Sequence, residues 1–160
     1  MRDERQEQTP WLASIASGFI GAVILTAIHQ SARSVVTHPP RMDTVGRRAI
    51  QKTLDVTGRK TMSRPVLQKW ALAGDIIANT VYYAAIAREH GRARWGRALT
   101  LGLAAGAGAS AVPPFLGLGR PPNTQFTSTR VMTTAWYMAG ALATAAAASV
   151  LVPRRAAAAA

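Results

Sequence analysis

The sequence predicts an all-α integral membrane protein with four transmembrane helices and one short amphipathic surface helix. Three observations lead there. The apolar residues gather into four blocks separated by basic or Pro/Gly-rich connectors. The Lys and Arg residues behind the net charge of +12 lie almost wholly outside those blocks, where anionic headgroups would meet them. Trp11, Trp70, Trp95 and Trp136 lie at or near block edges, the usual depth of an indole at a water–lipid interface. With 160 residues there is room for one domain, 1–155, carrying spans near 11–32, 66–90, 97–112 and 130–152. A basic connector, 33–65, holds the surface helix, and 156–160 is an alanine tail.

The first span follows a charged leader and is expected to start at Thr9-Pro10, a hydroxyl N-cap before an N1 proline. Three acids in the leader and the lack of a small-residue cleavage site followed by a soluble domain argue against a signal peptide. Ser17, Gly18 and Gly21 give the span a small-residue face suited to close helix packing.

In the connector, Thr37-His38-Pro39-Pro40 excludes helix and makes a stiff corner. Apolar residues then recur at three- and four-residue spacing from Met42 to Leu54, opposite a face with Arg47, Arg48 and Lys52. That pattern suits a helix lying at the membrane surface, with the three cations as headgroup contacts. The same pattern suits a helix capping the bundle end. Thr57-Gly58 should end it, and Ser63-Arg64-Pro65 should start the second span, which runs to a Gly91 C-cap.

Asp75 interrupts the second apolar block, and Asn79 continues its face one turn on. An ionisable group at membrane depth is a candidate functional residue. Antiparallel packing would set His29 level with about residue 71, with Arg33 one turn beyond, so His29 or Arg33 is expected to contact Asp75. The functional reading is a polar site formed by Asp75, His29, Arg33 and Asn79 for a lipid headgroup, a quinone carbonyl or a proton. The structural alternative is a buried ion pair that fixes helix register.

Arg92–Arg97 is expected to form a basic turn before the third span. Within that span, Gly102, Gly106 and Ser110 stand at strict four-residue spacing, a stripe for close helix approach. Pro113-Pro114 stops it, the 113–129 loop is expected to be half-embedded, and Ser128 or Thr129 should cap the fourth span. Basic residues favour termini outside the cytoplasm by a narrow margin, whereas the four arginines of 88–97 argue the opposite.

The runs IHQSARSVVTHPPRMDTVGRRAI, ALAGDIIANTVYYA, FLGLG and TTAWYMAGALA resemble a family of small bacterial four-helix integral membrane proteins. The resemblance covers most of the chain and implies a multi-pass protein of the bacterial inner membrane. It supplies no activity and no site residues. In that family an acidic residue commonly follows the His of the first span; here Gln30 stands in its place.

Without Cys there is no thiolate metal site and no thiol nucleophile, and no G-x-S-x-G elbow is present. No enzyme, no resident cofactor, no metal and no nucleic-acid partner is expected. The reading this favours is an accessory subunit packed on other integral membrane subunits, for example in a respiratory or photosynthetic complex. The other is a small membrane protein that binds a lipid, quinone, pigment or proton at His29 and Asp75.

Overall fold

A computed structural model describes residues 3–152, with side chains from 11 onward; Pro153-Arg154-Arg155, expected from sequence to close the fourth span, and the tail lie outside the described residues. The order is α1 (Asp3–Ala32), α2 (Met42–Val56), α3 (Arg64–Ala84), a 3₁₀ turn (Ala85–Arg88), α4 (Gly91–Ala111) and α5 (Thr127–Leu151). Among the described residues there is no strand. Two stretches, Trp11–Val35 and Thr127–Leu151, are long and apolar enough to cross a membrane.

α1 is the central helix, packed between α3 and α5, while α4 packs on α5 and α2 on α3. Small residues set these contacts. A Cβ at Gly18 would strike the Thr80 carbonyl and, 2.8 Å away, the Ala84 nitrogen; one at Gly21 would strike Thr144 and Gly140. The core where the helices meet is formed by Leu25, Tyr83, Ile86, Ala98, Tyr137 and the Ala141/Ala145 pair. The Tyr83 hydroxyl donates to the Tyr137 carbonyl over 2.8 Å, joining α3 to α5.

Small hydroxyl side chains are packed between the helices, and many large apolar ones face outward. Ser17, Thr80, Thr133 and Thr144 are buried, while Phe19, Ile24, Ile77, Val81, Leu103 and Val131 face outward. The buried hydroxyls bond within their own helices, each to the carbonyl four residues earlier at 2.7–3.0 Å. Such back-bonding satisfies a hydroxyl where water is scarce.

Several expected boundaries move. α1 starts at Asp3, so Pro10 lies inside it. The leader is built of good helix formers, and a proline near the start removes a single backbone bond. α4 starts at Gly91, so the expected basic turn 92–97 is helical and Gly91 opens α4 instead of capping α3. Here Arg94 reaches back to the Glu89 carbonyl over 2.8 Å and tethers the first turn. The N-cap of α5 is Phe126. Thr129, expected to cap it, donates its hydroxyl to the His38 carbonyl over 2.8 Å. α2 matches its expected limits, closed by Thr57 with Gly58 at φ +65°.

Candidate functional site

The antiparallel register of α1 and α3 follows from Gly18 lying against Thr80 and Ala84. Counting eleven residues along each helix places His29 level with the start of α3, beside Ala71. α2 then closes over this end of the bundle, with Gly46 against Ala71. Between α1, α2 and α3 a partly open cavity of about 670 Å³ remains. Thr26 and His29 line it from α1, Met42, Val45 and Ile50 from α2, and Leu72, Asp75 and Ile77 from α3. Arg33, Asp43, Gln68 and Tyr137 complete the polar part. The volume falls in the range of small-molecule sites, about 300–1,000 Å³.

The expected contact of Asp75 with His29 or Arg33 is not formed. Asp75 takes its hydrogen bond from Asn79, whose Nδ2 lies 3.0 Å from Oδ1 and 2.9 Å from the Asp75 carbonyl. The Pro39-Pro40 corner brings the first turn of α2 back to the end of α1, and there Asp43 captures Arg33, Nη2 to Oδ1 at 2.8 Å. The same carboxylate takes Arg41 at 3.3 Å and Arg47 at 2.9 Å. Burial pushes the Asp43 carboxyl up, but the Arg41 hydrogen bond and the charges of Arg33, Arg41 and Arg47 together hold it below its ordinary value. His29 is held by other contacts. Its Nδ1 lies 3.1 Å from the Leu25 carbonyl, and its ring meets Trp136 and Tyr137 edge-on at 5.0 and 5.9 Å.

A carbonyl can only accept, so Nδ1 of His29 carries the proton in that bond and Nε2 of the neutral ring presents a lone pair. That Nε2, Thr26 Oγ1 and Arg33 Nε are buried with no hydrogen-bond partner among the described residues. All three residues line the cavity. His29, Arg33 and Asp75 therefore share one cavity without bonding to one another, and Asn79 stands behind Asp75 as its donor.

The cations expected to meet headgroups are engaged by other parts of the chain. Arg47 bonds Asp43, Thr44 and Gln68. Arg48 donates to the Leu118 and Arg120 carbonyls at 3.1 and 3.0 Å, and Lys52 to the Leu116 carbonyl at 2.7 Å. Those carbonyls turn toward α2 because Gly117 and Gly119 take φ near +70°, a conformation other residues adopt at a cost. α2 is thus the cap of the bundle end, clamped to the 113–126 loop. The loop also grips the proline corner: Asn123 donates to the Pro39 carbonyl over 2.9 Å, and Phe126 stacks on His38 at 4.0 Å. The rest of the loop is largely outside, with Phe115 88% exposed, while Pro113 and Pro121 are buried.

The small-residue stripes are packing surfaces within the chain. A Cβ at Gly102 would come within 2.9 Å of the Met138 Cα, and one at Gly106 would strike the Thr134 Cα. Ser17 is buried, bonded to Ala13, and the hydroxyl of Ser110 is buried without a partner among the described residues. These faces are therefore not open to a second protein.

Sequence reasoning missed Arg94, which is buried at the opposite end and donates to the Glu89 carbonyl and to Ser149. Arg97 pairs there with the Glu89 carboxylate. A buried arginine was hidden by its neighbours, since Arg92, Arg94 and Arg97 read together as a solvated turn. Compared with protein-family models, curated proteins and solved structures, the chain matches none.

Proposed function

We propose that the chain is a four-span, non-enzymatic membrane protein that binds an amphiphilic small molecule, of the lipid or quinone class, in the cavity between α1, α2 and α3. One observation carries the reading: three buried polar atoms on Thr26, His29 and Arg33 that lack a partner among the described residues, all on residues lining one mostly apolar cavity. Leaving a polar atom buried and unpaired costs about 1–3 kcal/mol, and a ligand head offering both a donor and an acceptor would offset it.

Support for four spans comes from α3 and α4. Each has 21 residues, about 31 Å at helical rise and close to the thickness of a bilayer core. Each turns large apolar side chains outward: Trp70, Ile77 and Val81 on α3, and Leu99 and Leu103 on α4. The bacterial inner membrane as location rests on the family resemblance. Docking as an accessory subunit loses one of its supports, because the glycine stripes are buried against α3 and α5.

The test is native mass spectrometry of the full chain extracted in mild detergent. The expected spectrum shows a non-protein adduct of one per chain, weakened by Thr26→Val and His29→Leu. Protein that is folded and free of any adduct, in membranes and after supplying lipid and quinone, would defeat the proposal.

A further inference from the structure

We propose that the ligand is an anionic amphiphile, its phosphate or carboxylate head on Arg33 and its tail in the apolar part of the cavity; this rests on the cavity reading above. Three guanidinium groups, Arg33, Arg41 and Arg47, surround the single carboxylate of Asp43 at 2.8, 3.3 and 2.9 Å. One negative charge among three positive ones leaves an excess of two. The Asp43 side chain is only 8% exposed and those of Arg33 and Arg47 are mostly covered, so water screens this excess less than it would on an open surface.

Arg33 is the member of the cluster suited to an outside anion. Arg33 and Asp43 line the cavity, and one donor of Arg33 already holds Asp43. Its Nε, also a donor, is buried with no partner among the described residues. A guanidinium fixed at one corner and unsatisfied at another presents the planar N–H edge that phosphate and carboxylate oxygens fit. The walls of the same cavity include Val45, Ile50, Leu72 and Ile77, a lining for a hydrocarbon chain. Asp75, on the α3 wall of the same cavity, disfavours an anionic head there and keeps it at the Arg33 end. Arg33 follows the last turn of α1, and Trp70 at the start of α3 is largely exposed, which sets the head at the depth of lipid headgroups.

The experiment uses the full chain, delipidated in non-ionic detergent. It is titrated with phosphatidylglycerol, with phosphatidylcholine of identical chains, with a quinone and with inorganic phosphate, and read by native mass spectrometry. Expected is one phosphatidylglycerol per chain, held about tenfold tighter than phosphatidylcholine, with no retention of phosphate alone. Arg33→Gln should abolish that preference, weakening phosphatidylglycerol about tenfold more than phosphatidylcholine. Ala49→Phe, which fills the cavity from α2, should remove both lipids while the protein stays folded by circular dichroism. Should Arg33→Gln unfold, Arg41→Gln takes its place and should narrow the preference several-fold. Equal retention of the two lipids, or a preference indifferent to the arginine variant, overturns the anionic head and leaves the cavity reading standing. Phosphate bound as tightly as the lipid overturns the tail. Retention of neither lipid and of no quinone overturns both proposals.

Discussion

Arg33 and Asp43 join the end of α1 to the first turn of α2, Nη2 to Oδ1 at 2.8 Å, across a connector that doubles back at Pro39-Pro40. Because Arg41 and Arg47 share that carboxylate, its native proton affinity is lowered, and the sign of the pH effect follows. A carboxyl lowered on folding stabilises the native state above its unfolded value, near 4 for aspartate, and loses that contribution as pH falls through the native one. Stability measured between about pH 6 and pH 3 should therefore decline with acid, and Asp43→Asn should flatten the decline. At neutral pH the same variant should cost about 1–3 kcal/mol, less than a fully buried pair because the arginines are partly wet. A variant with the wild-type pH profile would show that the cluster does not govern acid stability.

Gly106→Leu should destabilise the bundle without changing its oligomeric state. Its Cβ would fall on the Thr134 Cα, so α4 and α5 must separate, at about 1–3 kcal/mol or more. Gly96→Ala is the control in the same helix. Beyond its own helix backbone no atom lies within 4 Å of a Cβ there, and replacing a helical glycine should gain about 0.5–1 kcal/mol. Thermal unfolding in detergent, paired with light scattering, checks both. A shift from dimer to monomer in Gly106→Leu would place the stripe between chains.

What could be read in the residues and what could not divide along the range of the interaction. The limits of α2 were legible because its periodicity and the Thr57-Gly58 stop are local. The Gly102–Gly106 spacing announced a close contact, yet spacing cannot say whether the facing helix belongs to the same chain, and here it is α5. Asp75 and Asn79, one turn apart, were rightly placed on one face, and the cavity that collects His29, Arg33 and Asp75 follows from the α1/α3 register. The partner of Arg33 was not legible, since Asp43 becomes its neighbour only once the proline corner has folded back. Nor were the partners of Arg48 and Lys52. Their acceptors are backbone carbonyls more than 60 residues away, and a carbonyl leaves no mark in a sequence.

The clamp between α2 and the loop should be separable from the bundle. Replacing Arg48 and Lys52 together with Ala removes three charge-assisted bonds to the 116–120 carbonyls. These bonds are exposed, so the expected global loss is small, about 1 kcal/mol or less. The local effect should be large: hydrogen exchange in 113–126 and along α2 should speed up while α1 and α5 keep their protection. Uniform acceleration over all helices would mean that the cap and the bundle unfold as one unit.

Asp75 and Asn79 form the polar pair on the α3 wall, and the two residues should respond unequally to substitution. In Asp75→Asn the side-chain oxygen remains to accept from Asn79 Nδ2, so the geometry survives and the change should stay within about 1 kcal/mol. Asn79→Leu is different. It takes the donor away and leaves a half-buried carboxylate facing an apolar side chain, for about 1–3 kcal/mol. Replacing both by leucine removes the stranded partner as well, so the double variant should be more stable than Asn79→Leu alone. A double-mutant cycle on thermal or denaturant unfolding measures the difference, with a coupling of about 0.5–3 kcal/mol expected for groups in direct contact. Strict additivity would mean that Asp75 does not depend on Asn79, which leaves its oxygens free to serve the cavity side.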